Sequence, residues 1–133
     1  MGTRSLTVML DEYDEEIAIL YRQYDGYPDG HGAELKEFLK DFVIVNGFTP
    51  GETRKIANGG GCLAALVVAY FKQSVGGFYL MAAGTRDAGE EYIYTIRPTG
   101  AGITLKVEDV RWARHPEILY EGPVQDFNPL AYL

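Results

Sequence analysis

The chain has 133 residues, 47% hydrophobic and 23% charged, with a formal net charge of −7. That length and apolar content support one self-folding core and exclude a disordered chain, while the acidic balance argues against direct DNA or RNA binding, which draws its affinity from Lys and Arg contacts to phosphate. The single cysteine, Cys62, excludes an internal disulfide and a cysteine-rich metal cage.

Taken in chain order, Ser5–Leu10 alternates with period two, Leu6, Val8 and Leu10 on one side and Thr7 and Met9 on the other, which predicts a strand. Residues 11–16 (DEYDEE) form an acidic connector to a second strand over 17–24, so the pair reads as a hairpin with a solvated, charged tip. Residues 24–32 (YDGYPDGHG) exclude regular structure, because Pro28 holds Tyr27 extended and the glycines supply backbone angles that other residues avoid. Leu35, Phe38, Leu39 and Phe42 then follow the i, i+3, i+4, i+7 spacing of a one-sided helix, placed over 33–45 and closed by Asn46-Gly47.

Residues 48–61 read as a connector ending in Asn58-Gly59-Gly60-Gly61, with Asn58 as the expected cap of a second helix from Cys62 to about residue 73. That helix is apolar on every face until Lys72, which predicts a central, fully covered position; its longest apolar run, 62–71, falls well short of the ~20 residues that span a bilayer. Short strands separated by turns follow at 78–83, 92–97, 103–108 and 117–121, with a turn at 99–102, and residues 122–133 read as an irregular tail. The expected fold is α+β, a single domain over 1–133, with a mostly antiparallel sheet, two packed helices and element order β-β-α-α-β-β-β-β. The N-terminus carries no basic region followed by a long apolar core, so a cytoplasmic location is expected.

Side chains with binding chemistry concentrate at the corner between the second strand and the first helix. Tyr21, Arg22, Tyr24, Asp25, Tyr27, Asp29 and His31 stand close together there, next to glycines and a helix start. Arg22 is suited to a bidentate contact with phosphate or carboxylate and the tyrosines to stacking on a base, so an anionic, nucleotide-like small molecule fits this equipment. Elsewhere the motifs fail. Gly30-His31-Gly32 is followed by Leu35 where a dinucleotide fingerprint needs glycine, the glycine run at 59–61 lacks the Lys-Ser/Thr of a P-loop, and no G-x-S-x-G or metal-ligand spacing exists. Arg111, Trp112, Arg114 and His115 form a basic aromatic patch that reads as an edge-strand surface covered by the Trp. No catalytic set, cofactor or metal site is therefore expected.

Met1-Gly2-Thr3-Arg4-Ser5, the acidic turn, Ile19-Leu20-Tyr21-Arg22, and Tyr24-Asp25-Gly26-Tyr27-Pro28 before a helix together resemble a family of small proteins of bacteriophages and bacterial mobile elements, over the first third of the chain. Members carry a Tyr-x-His-Trp-Asp-Gly-Tyr-Pro-like segment, in which Gln23 and Tyr24 here take the places of His and Trp. The resemblance implies a setting, that of accessory proteins which counter host defence by blocking a protein or sequestering a nucleotide signal. The expectation is thus a non-enzymatic binding protein in the host cytoplasm that sequesters a nucleotide-like molecule with Tyr21, Arg22, Tyr24, Asp25, Tyr27 and His31, at a subunit junction of a homo-oligomer. One alternative is an acidic inhibitor that presents 11–16 to a host defence protein or mimics nucleic acid. Another is a small enzyme using His31 as general base with Asp25 or Asp29.

Overall fold

Five of the six residues of the first strand are buried, because neighbours lie on both of its edges and cover lies on both of its faces. β1 (Ser5–Leu10) pairs antiparallel with β2 (Glu16–Arg22) and parallel with β6 (Tyr92–Thr99). β2 continues antiparallel to β5 (Phe78–Met81), and β6 to β7 (Gly102–Asp109) and then β8 (Glu117–Pro123), which makes a six-stranded sheet in the order β5-β2-β1-β6-β7-β8. The computed structural model describes residues 2–100, 102–112 and 114–133, so Ala101, within the expected 99–102 turn, lies outside the described residues, as does Met1. The domain is α+β with a mostly antiparallel sheet, and within the described residues of the six-stranded sheet only β1 and β6 pair parallel.

Two covers close the sheet. On one face, Leu20, Tyr94, Ile96, Leu105 and Val107 pack with Leu35 and Leu39 of α1 (Ala33–Leu39) and with Leu63, Ala64, Val67 and Phe71 of α2 (Gly59–Phe71). The two helices meet where the Phe38 and Tyr70 rings stack at 4.2 Å. On the other face, Leu6, Val8, Ile19 and Ile93 lie under the chain that joins β5 to β6, which contributes Ala88.

The structure revises several boundaries. The expected helix over 33–45 stops at Leu39, and Val43–Val45 forms β3, paired parallel with β4 (Ile56–Asn58) inside the expected connector. The apolar spacing runs to Phe42, but the β-branched Val-Ile-Val that follows favours an extended backbone. α2 starts at Gly59 and not at Cys62, and Asn58 does not cap it: the Asn58 Oδ1 accepts from the Gly47 N–H at 2.6 Å, while Glu12 from the β1–β2 tip accepts from the Gly60 N–H. A Cβ on Gly60 would lie 2.8 Å from the Asp11 Cα, so only glycine lets the helix start dock on that tip. Nor is α2 covered all round. Gly61, Ala65 and Ala69 face out, and such small side chains forfeit little burial free energy.

The C-terminal stretch is also more ordered than an irregular tail. β8 extends to Pro123, and 3₁₀ turns at Val124–Asp126 and Pro129–Tyr132 place Val124 and Phe127 in the main core. Phe127 is the anchor, its ring stacked with that of Tyr132 and tilted against that of Tyr120. The Tyr132 hydroxyl also donates to the Leu119 carbonyl of β8 at 2.8 Å.

Candidate functional site

β2 delivers Arg22 to the end of the sheet, and the chain then turns over the start of β1. Asp25 takes a left-handed backbone angle, φ 59°, which an Asx side chain tolerates better than most. The Gly26 N–H donates to the Thr3 carbonyl at 2.9 Å, and a Cβ there would lie 2.8 Å from that of Ser5, so the loop sits directly on β1. The His31 N–H donates to the Asp25 carbonyl at 2.8 Å, and the buried Tyr94 hydroxyl donates to the Gly26 carbonyl at 2.7 Å. A π-helical turn, Pro28–Gly32, then feeds α1.

Beneath this loop is a buried polar cluster. His31 is fully buried, its ring 4.9 Å from that of Phe71 and 5.0 Å from that of Tyr94. Its Nδ1 is 3.1 Å from the Arg22 Nη1 and its Nε2 is 2.6 Å from the Thr7 Oγ1. A guanidinium only donates, so Nδ1 is the acceptor, the ring is neutral, and Nε2–H donates to Thr7. Burial, reinforced by the Arg22 charge, pushes the His31 pKa down to about 3. The buried Arg22 also donates from Nε to the Tyr24 carbonyl at 2.8 Å, pairs through Nη1 with the half-exposed Glu34 of α1, and lies 4.9 Å over the Phe78 ring.

The six expected binding residues therefore separate into three groups. Arg22 and His31 are brought together inside. Tyr21 lies across the sheet from them, among the residues packed on Leu6 and Ile19, with its ring 6.2 Å from that of Tyr79. Tyr24, Asp25 and Tyr27 face out, with Tyr24 48% and Tyr27 38% exposed. The Tyr27 hydroxyl donates to Asp25 at 3.3 Å, and the neighbouring carboxylate raises the Tyr27 pKa. The Tyr24 hydroxyl lies over Gly77, at the entry to β5, a strand on which Tyr79 and Leu80 are exposed. A dyad of His31 with Asp25 or Asp29 is not what the geometry shows, since the two ring nitrogens are held by Arg22 and Thr7.

The acidic tip is likewise not a free charged surface. Asp11 accepts from the N–H groups of Tyr13 and Glu15 at 2.8 and 3.0 Å, Glu12 holds the start of α2, Asp14 pairs with Arg97 at 3.3 Å, and Glu16 pairs with Arg86. Hydrogen bonding to Arg86 holds the Glu16 carboxyl below its usual range. In the basic patch, Arg111 grips Asp109 from Nε to Oδ1 at 3.1 Å and to Oδ2 at 3.3 Å and from Nη2 to Oδ2 at 2.8 Å, and this holds the Asp109 carboxyl low. Trp112 does not cover the sheet; it is 71% exposed.

Residues that sequence reasoning missed are Thr7, Glu34 and Tyr94. The available signal was the pair of hydroxyls, Ser5 and Thr7, on one face of a strand otherwise made of Leu, Val and Met. A cleft of about 430 Å³ opens between the hairpin tip and β3, lined by Glu12, Tyr13, Ile44 and Gly59, and another of about 340 Å³ lies under the β3–β4 connection, lined by Phe48, Arg54, Cys62 and Leu66. Neither is lined by a residue of the corner. Among the described residues no group of three or more His, Cys, Asp or Glu side chains is placed to hold a metal ion, and no helix is long and apolar enough to cross a membrane. In comparisons with known proteins, no family model, no curated protein and no solved structure matches the chain.

Proposed function

We propose that this chain is a non-enzymatic binding protein that counters host defence in a phage or mobile-element setting, and that it does so by holding a host protein against the outer rim of the corner. The setting is supported by the resemblance of the first third of the chain to phage accessory proteins. The mode is supported by one observation: Arg22, the cation a nucleotide phosphate would need, points inward and is paired with Glu34, while Tyr24, Asp25 and Tyr27 point outward.

An outward surface of tyrosines and a carboxylate suits a partner's Lys or Arg side chains, through stacking on the rings and pairing with the acid, better than it suits an anion. Recognition there runs through side chains rather than by strand addition, because the Phe78 carbonyl on the outer edge of β5 already accepts from Lys72 Nζ at 2.6 Å.

The test is capture of host proteins by the native chain and by a Tyr24→Ala, Asp25→Arg, Tyr27→Ala variant, read with host-infection activity and with calorimetry against cyclic and ADP-ribose-derived nucleotides. The expected result is a captured protein that the variant and high salt both release, loss of activity in the variant, and no nucleotide heat. Heat from a nucleotide that disappears in the variant would instead assign the corner to sequestration of a small molecule. Full activity of the variant would remove the corner from function.

A further inference from the structure

The corner is joined to the sheet by a pin that has one protonatable atom at its centre. His31 is contributed by the π-helical turn, Thr7 by β1, Arg22 by β2, Tyr94 by β6 and Phe71 by α2, and Glu34 of α1 bonds the far side of Arg22. The charged groups held in this cluster are Arg22 and Glu34, while Asp25 and Asp29 belong to the same loop as His31. The Arg22 Nη1 has its acceptor at Nδ1 only while that nitrogen carries no proton.

We propose that the corner is a latch that opens in acid: proton uptake at the His31 Nδ1 turns the Arg22 contact into two facing donors and frees residues 24–32 from β1 and β2 while the sheet stays paired. The geometry sets this up, since the loop's remaining ties to the sheet are few. Among the described residues these are hydrogen bonds from the Gly26 N–H to the Thr3 carbonyl, from the Tyr94 hydroxyl to the Gly26 carbonyl, from the Arg22 Nε to the Tyr24 carbonyl and from the His31 Nε2–H to Thr7, together with the buried packing of Pro28 and Gly32. Direct protonation of the closed form is strongly resisted by burial, so the proton is taken up as the loop opens. An exposed histidine titrates near its ordinary 6.5, and below that the open population rises about tenfold per pH unit. This inference concerns the free protein and does not depend on what the corner binds.

Native-state hydrogen exchange between pH 7 and 4.5, corrected for intrinsic rates, tests it. Protection of the Gly26, Gly30 and His31 amides is expected to lie below that of the β6 and β7 amides at every pH and to fall about tenfold per unit below 6.5. His31→Gln, which keeps a donor and an acceptor but does not titrate, is expected to leave those amides with a flat profile. Three results would each overturn the latch: corner protection equal to that of the sheet, so that the loop opens only with the whole molecule; corner protection that is locally low but independent of pH in the native chain; or the same slope in His31→Gln.

Discussion

The corner and the acidic hairpin tip are both polar, loop-forming stretches attached to β2, yet they stabilise the molecule by different means. At the corner an arginine and a histidine are withdrawn from water and satisfied by each other, by Thr7 and by a backbone carbonyl. At the tip the carboxylates stay near the surface and bind backbone N–H groups and exposed arginines. Charge density along a chain therefore says little about where charge matters. A buried polar group becomes costly once its partner is removed, whereas an exposed ion pair is screened and worth little.

The strongest way to break this contrast is Arg22→Ala. It leaves the His31 Nδ1 and the Tyr24 carbonyl without a donor and opens space beside Phe78, and the expected loss is about 3 kcal/mol in urea unfolding. Thr7→Val keeps the shape of β1 and removes only the acceptor of the His31 Nε2–H, so about 2 kcal/mol should be lost by the same measurement.

Acid should act on the corner first. The folded pKa of His31 lies far below the unfolded value, so the stability of the neutral ring is complete above pH 6.5 and is lost as pH falls from there toward about 3. The unfolding free energy should decrease by about 1.4 kcal/mol per unit across that window. Glu16 and Asp109, whose carboxyls are held low, begin to add their own loss only as pH falls through the ordinary carboxylate range. A chain whose stability is flat from pH 7 to 5 would contradict the burial of a neutral His31.

At the tip the effects should be smaller. Glu12→Ala removes the acceptor at the start of α2 and should lower stability by about 1 kcal/mol, the range of an N-cap loss. Asp14→Asn, which breaks only the exposed pair with Arg97, should change it by less than about 0.5 kcal/mol. If Asp14→Asn proved as damaging as Thr7→Val, the two regions would not differ in the way described.

By itself the sequence determined the class of fold and most of its strands, because period-two alternation in Ser5–Leu10 and Gly102–Asp109 and the apolar spacing from Leu35 to Phe42 are local signals of which face meets the core. It also located the corner, since glycines, Pro28 and clustered polar residues mark a shaped loop without reference to anything distant. What that loop does with its side chains is set by contacts distant in the chain. The partners of His31 and Arg22, namely Thr7, Tyr94 and Glu34, come from other elements, and whether an arginine faces a ligand or a glutamate is settled by which of them the sheet brings within hydrogen-bond distance. The same holds for Glu12, which looked like part of a solvated tip until the fold set the start of α2 against it. Hydrophobic periodicity is encoded residue by residue, but the pairing of buried polar groups is a property of contacts far apart in the chain.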